Sequence, residues 1–293
     1  MKIIRAKKMG FCFGVKEAIN SCVEVAHEIE KGKKVYILGM LVHNEHVVNE
    51  LKKMGLQILE EEELLNGEDS LNENDIVIIR AHGTTKEVYE LLQRKKVQLK
   101  DATCIFVKDI RKKLISLEKN KKQIIFIGDK EHPEVKGILS FGENVKVFEG
   151  IEELEKNIDK LDKNIEYYLL TQTTLNKDKI KEIKKYLENR GLDVNIYNKI
   201  CSATQERQEA VEELSQKVDF MLIVGGKNSS NTKKLYEIAK KYNEKAKLVD
   251  TEDEVDLNWF KDIKTIGISA GASTPEEVII KIENKIRGLK ING

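Results

Sequence analysis

Short apolar runs alternate along the chain with long, charged, amphipathic stretches. Six of the runs, VYILG, IVIIRA, IIFIG, YYLLT, FMLIVGG and TIGISAG, stay apolar over successive positions and are often β-branched. That pattern predicts strands covered on both faces, as in parallel sheets. Segments such as TTKEVYELLQRKK and NTKKLYEIAKKYNEK are charged and amphipathic, which predicts surface helices. Strand and helix in alternation give an α/β fold.

The loops after the predicted strands form three series. Cysteines stand before helical stretches at Cys12, Cys104 and Cys201, 92 and 97 positions apart. Strands ending at Gly39, Gly128 and Gly225 run into the polar loops GMLVHN, GDKEHPE and GGKNSSN, 89 and 97 positions apart. A second set of strand ends carries RAHGTT, TQTTLN and AGAST, with His82, Thr173 and Ser273 spaced by 91 and 100. Three related units follow from this period. The expected boundaries are 13–100, 101–197 and 198–293, with residues 1–12 packing with the third repeat. All nine loops fall at carboxyl ends of strands, where open α/β sheets bind ligands. Three such units facing a common centre predict one cavity fed by three thiols and six polar loops.

Composition narrows the function classes. The chain has 293 residues, more than one ordinary core, and its 51 basic and 50 acidic residues leave a net charge of +1. No basic excess points to nucleic acid, so any anion site is local. No apolar run approaches the roughly 20 residues that a membrane span needs. MKIIRAKKMG lacks the apolar core of a secretory signal, so a cytoplasmic protein is expected, with its thiols reduced.

Four cysteines then need a role. Cys22 falls in line with Val15, Ala18, Ile19, Ala26 and Ile29 at helical spacing and reads as a small core residue. The other three recur before helices, where a thiol is acidified and prone to bind metal. Three thiolates do not close a structural zinc site, and no CxxC pair is present. An iron–sulfur cluster with one open iron suits them better. A hydro-lyase, or a phosphate-binding protein with a structural zinc, remains compatible with the cysteines alone.

The polar loops suit an anion. His43, His82 and His132 stand at equivalent strand ends, with Thr173, Thr174, Ser229, Ser230, Asn231, Ser273 and Thr274 in the others. Helix N-termini bearing hydroxyls and histidines suit a phosphate or diphosphate. Helix capping is the competing role, and both Thr84-x-x-Glu87 and Thr274-Pro275-Glu276-Glu277 fit capping boxes. His27 reads as a solvated helix-face residue, and His46 is expected in the helix after His43. The chain has two prolines, and Pro133 stands between His132 and Glu134. A proline at a helix start would orient Glu134 as a proton donor, against the plainer role of complementing the helix dipole.

MGFCFGV, VHN, RAHG, DATC, HPEV-x-G, TQTT, CSAT-x-x-RQ, KNSSNT and AGAST occur in one order over essentially the whole chain. In this the chain resembles the 4-hydroxy-3-methylbut-2-enyl diphosphate reductases, the last enzymes of the methylerythritol phosphate route to isoprenoids. The resemblance implies three α/β domains around a central [4Fe–4S] cluster held by Cys12, Cys104 and Cys201. It implies a diphosphate site lined by His43, His82, His132, Ser229, Ser230, Asn231 and Ser273, with Thr173, Glu134 and His132 handling the substrate hydroxyl and its proton. It implies a small allylic diphosphate as substrate, flavodoxin or ferredoxin as electron donor, and neither nucleic acid nor membrane as partner. One departure stands out: Ile105 follows Cys104 where the family pattern has proline. Proline there would restrict the backbone of Cys104.

Overall fold

The structure, a computed structural model, describes residues 1–42, 44–175, 177–197 and 201–288. Among them are twelve strands in three four-stranded sheets, every pairing parallel, and eleven α-helices. The chain divides into two compact units.

The first unit comprises Met1–Lys16, Val42–Lys53 and Ser202–Gly293. Its sheet has the order β1 (Lys2–Arg5), β12 (Thr265–Ala270), β10 (Phe220–Val224) and β11 (Lys247–Val249). Alternate residues of β10 serve opposite faces. Phe220, Leu222 and Val224 pack with the helix α11 (Glu276–Gly288) through Val278, Ile279 and Ile282. Met221 and Ile223 pack with α9 (Ser202–Ser215) and α10 (Ser230–Tyr242) through Val211, Leu214 and Leu235. A strand covered on both faces has to be apolar at every position, which is why FMLIV reads as one unbroken run. The unit also holds α2 (Glu45–Lys53).

The second unit comprises Glu17–Leu41 and Met54–Cys201 and contains two sheets. One has the order β3 (Gln57–Leu59), β2 (Val35–Leu38), β4 (Ile76–Ile79) and β5 (Gln98–Asp101). The other has β7 (Val145–Phe148), β6 (Gln123–Ile127), β8 (Glu166–Thr171) and β9 (Asp193–Ile196). On β6, Ile125 and Ile127 face one core and Ile124 and Phe126 the other. In each of the three sheets the order is second, first, third, fourth, counting strands within a repeat, and β1 from the start of the chain takes the fourth place beside β12.

Two expected helix caps form differently. Thr85, not Thr84, caps α4 (Lys86–Arg94), its hydroxyl accepting from Val88 N at 3.4 Å. Thr84 is buried and its hydroxyl donates to Glu61 at 2.7 Å. Thr274 donates its hydroxyl to the carbonyl of Val224 at 3.1 Å, tying the AGAST loop to the end of β10. In both cases a nearby strand end or carboxylate is the better acceptor than a helix N–H group is a donor. Among the described residues no helix is long and apolar enough to cross a membrane.

Candidate functional site

In the second unit the ends of three strands converge. The helix α6 (Pro133–Leu139) begins with proline, and His132 is its N-cap. His132 Nδ1 accepts from the Glu134 amide at 3.1 Å, so the proton of a neutral ring stands on Nε2. A helix that starts this way turns Glu134 inward. Glu134 is 2% exposed, and both carboxylate oxygens meet Thr173, in the loop after β8. The Thr173 amide donates to Oε1 and its hydroxyl to Oε2, each at 2.8 Å. Burial pushes the Glu134 carboxyl above its ordinary range, and the two bonds from Thr173 only partly offset that. A carboxyl held in this way keeps its proton at higher pH than a surface glutamate and is fixed in direction.

The RAHGTT loop comes to the same place. The His82 and His132 rings meet edge to face with centroids 5.5 Å apart. Gly137 makes this approach possible, because a Cβ there would stand 3.1 Å from the carbonyl oxygen of Thr84. Ser140 completes the contact by accepting from the Lys86 amide at 2.9 Å. Arg80, at the end of β4, donates to Glu61 at 2.7 Å and to the Gly83 carbonyl at 3.2 Å, which fixes the loop that carries His82. Neither Arg80 nor Gln172 was singled out by sequence reasoning, although both lie inside the quoted RAHG and TQTT stretches. Gln172 accepts from the Asp129 amide at 3.1 Å, and its Nε2 is buried with no hydrogen-bond partner among the described residues.

In the first unit the start of α10 carries the second polar group. Ser229 is the N-cap and accepts from the Thr232 amide at 3.4 Å. Ser230 and Asn231 begin the helix, and Ser273 is buried in the same unit. Both polar atoms of the Asn231 amide are buried with no partner among the described residues, as are the hydroxyls of Thr232 and Ser269. Buried polar atoms without partners are costly, and at a helix N-terminus they suit a bound anion. Asn44 caps α2 by accepting from the Val47 amide at 3.2 Å, and His46 lies in that helix. His43 lies outside the described residues.

None of the four cysteines forms a disulfide. Cys22 is fully buried and its thiol is pushed up to about 12 by burial alone, as an inert core residue requires. Cys12 stands directly before α1 (Phe13–Ala26), and its sulfur accepts from the Val15 amide at 3.5 Å. Cys104 is the N-cap of α5 (Ile105–Lys119), and its amide donates to Ala81 O at 2.9 Å. Cys201 directly precedes α9. Cys104 has φ −55° and ψ 139°, the extended region that a following proline would favour, so Ile105 leaves that backbone unchanged. By donor chemistry, unoxidised thiols at helix starts are the soft ligands that an iron–sulfur cluster takes. Cys12 belongs to the first unit and Cys104 and Cys201 to the second. Among the described residues no three His, Cys, Asp or Glu side chains form a ready-made metal site.

Comparison with known proteins places this geometry in context. A 4-hydroxy-3-methylbut-2-enyl diphosphate reductase of Fusobacterium nucleatum is 54% identical over 289 residues, covering 99% of this chain, which spans only 34% of that protein's length. The enzyme of the same name from a Thermoanaerobacter species is 42% identical over 99% of this chain and 98% of its own. The solved structure of the E-1-hydroxy-2-methyl-but-2-enyl-4-diphosphate reductase of Plasmodium falciparum is 30% identical, covers 97% of this chain and 87% of that one, and superposes with a TM-score of 0.86. The LytB protein family matches residues 3–287. Over nearly its whole length, then, the chain belongs to the LytB family.

Proposed function

We propose that this chain is an iron–sulfur oxidoreductase that converts 4-hydroxy-3-methylbut-2-enyl diphosphate into isopentenyl and dimethylallyl diphosphate for isoprenoid synthesis. The conversion takes up two electrons and two protons. The allylic C–O bond breaks, one proton leaves with the hydroxyl as water, and the other reaches one of two allylic carbons. The observation that carries this reading is the buried Glu134–Thr173 pair in a chain whose relatives bear the reductase name.

Ser229, Ser230, Asn231 and Ser273 bind the diphosphate, with His43, His82 and His132. The partnerless Asn231 amide in the first turn of α10 supports that assignment. Glu134 is the proton donor to the substrate hydroxyl, its carboxyl held in direction by the Thr173 hydroxyl that donates to Oε2, with His132 fixing the start of α6. The burial that raises the Glu134 carboxyl favours its protonated form, the one a proton donor needs. Cys12, Cys104 and Cys201 would hold a [4Fe–4S] cluster, which supplies single electrons and a Lewis-acidic iron when bound. The electron donor is a small one-electron carrier protein such as flavodoxin or ferredoxin. The repeats are residues 13–100, 101–197 and 198–293, with 1–12 completing the third; the shared strand order and the β1–β12 pairing support this.

An anaerobic assay with reduced donor and the allylic diphosphate tests the reading, with iron and sulfide counted on the same sample. Consumption of two reducing equivalents per product is expected. Loss of water without reductant consumption would make the chain a hydro-lyase, and zinc in place of iron would remove the redox reading. Cys104→Ser is expected to lose iron; unchanged iron and sulfide would refute ligation at that position.

A further inference from the structure

Arg207 lies in the CSATQERQ stretch on α9, which begins directly after Cys201. It is 5% exposed, an unusual burial for a guanidinium. Its Nε and Nη2 both donate to one acceptor, the carbonyl oxygen of Gly10, at 3.1 and 2.8 Å. Its Nη1 donates to the carbonyl of Ala203, in the first turn of the same helix, at 2.7 Å. Gly10 is two residues before Cys12, on a loop that needs φ +69° at that glycine. The loop is otherwise held by backbone bonds to the strand end beyond β12, Gly10 N to Ala270 O at 3.2 Å and Cys12 N to Ala272 O at 3.1 Å. Arg207 therefore clamps a carbonyl of the loop that carries Cys12, two residues before the thiol.

The neighbouring cations do different work. Arg5, Lys7, Lys8, Cys12 and Arg207 line one cavity of about 490 Å³. Arg5 pairs with the exposed Glu276 and the buried Glu283, Lys7 with Glu213 and Lys8 with Glu206. Arg207 donates to two backbone carbonyls, a geometry that its planar fork suits.

We propose that Arg207 is a positioning residue for Cys12: it fixes the Gly10–Cys12 loop so that the thiol is presented for cluster ligation. This rests on the cluster reading given above. Four variants purified anaerobically test it: Arg207→Gln, Arg207→Lys, Leu214→Ala and Cys12→Ser. Iron and sulfide are counted per folded chain. Iron release to a chelator is timed at a fixed interval below each variant's melting temperature, and the spectrum of the reduced cluster is recorded.

Arg207→Gln is expected to release iron on the order of tenfold faster than the parent, with a shifted reduced-cluster spectrum. Arg207→Lys, which keeps the charge and loses the fork, ranks between the two and carries the test alone if the glutamine variant does not fold. Leu214→Ala removes buried packing from the same helix and is expected to melt lower while releasing iron at the parental rate. The inference is overturned if the Arg207 variants release iron at the parental rate, or if Leu214→Ala releases it as fast as they do. Cys12→Ser separates the two levels. Full iron and sulfide in that variant overturns the cluster reading itself, whereas iron loss there with parental behaviour at Arg207 overturns the positioning role alone.

Discussion

The buried polar groups of the two units are built on opposite plans. At Glu134 in the second unit, each carboxylate oxygen has a partner at 2.8 Å and the group is sealed from solvent. At Asn231 in the first unit, an amide at a helix start is also buried and neither of its polar atoms has a partner among the described residues. The first arrangement fixes a proton and its direction. The second holds donors in place at a cost to the fold that a bound anion would offset. On the proposed reading, chemistry and binding are carried by side chains in different states of satisfaction, and substitutions should separate them.

The largest effect is expected at the satisfied end. Glu134→Gln should retain iron and diphosphate binding and lose turnover by roughly 10² to 10⁴-fold, the range for removing a general acid. Turnover at the parental rate in the purified variant would remove Glu134 from the acid role. At the unsatisfied end, Asn231→Leu should do the reverse. Replacing a partnerless buried amide by an apolar group of similar size should stabilise the fold by about 1–3 kcal/mol and weaken inorganic diphosphate binding about tenfold or more. Calorimetric titration and thermal melts check both; a lower melting point together with parental binding would sink the distinction between the two ends.

A smaller effect concerns pH. An unfolded glutamate titrates in the ordinary range, whereas burial raises the folded Glu134 carboxyl. Its contribution is therefore fully present at acidic pH and lost as pH rises through the folded value, because ionisation is disfavoured inside. Glu134→Gln should gain stability over the parent at about pH 8 and gain less at about pH 5. A difference in melting temperature that is the same at both pH values would contradict the burial argument. The smallest effect is at Ile105, the first residue of α5, which is 63% exposed. Ile105→Pro meets a compatible backbone at Cys104 and should change stability by no more than about 1 kcal/mol, with iron content unchanged.

Much of the fold was legible in the sequence. The six inner strands are buried on both faces, so each appears as an unbroken apolar run. The edge strands escaped notice for the complementary reason. QIL, QLKD, VKVF and KLV are short and half-exposed, and a mixed pattern of three or four residues does not separate strand from loop. Helix starts were legible to within a residue, and His132-Pro133-Glu134 was read correctly as a helix start. The partners of Thr84 and Thr274 were not legible, because a hydroxyl near a helix start takes whichever acceptor the rest of the fold brings closest.

The chain's own order of residues determined its strands, its helices and the loops where polar side chains gather, since burial on one or two faces imposes a local period. Tertiary structure alone decided which of those side chains meet. Glu134 and Thr173 are 39 residues apart, Arg207 and Gly10 are 197 apart, and β1 closes a sheet with strands from the far end of the chain. Such pairings depend on sheet register and on helices packing close enough to touch, and no local period records either.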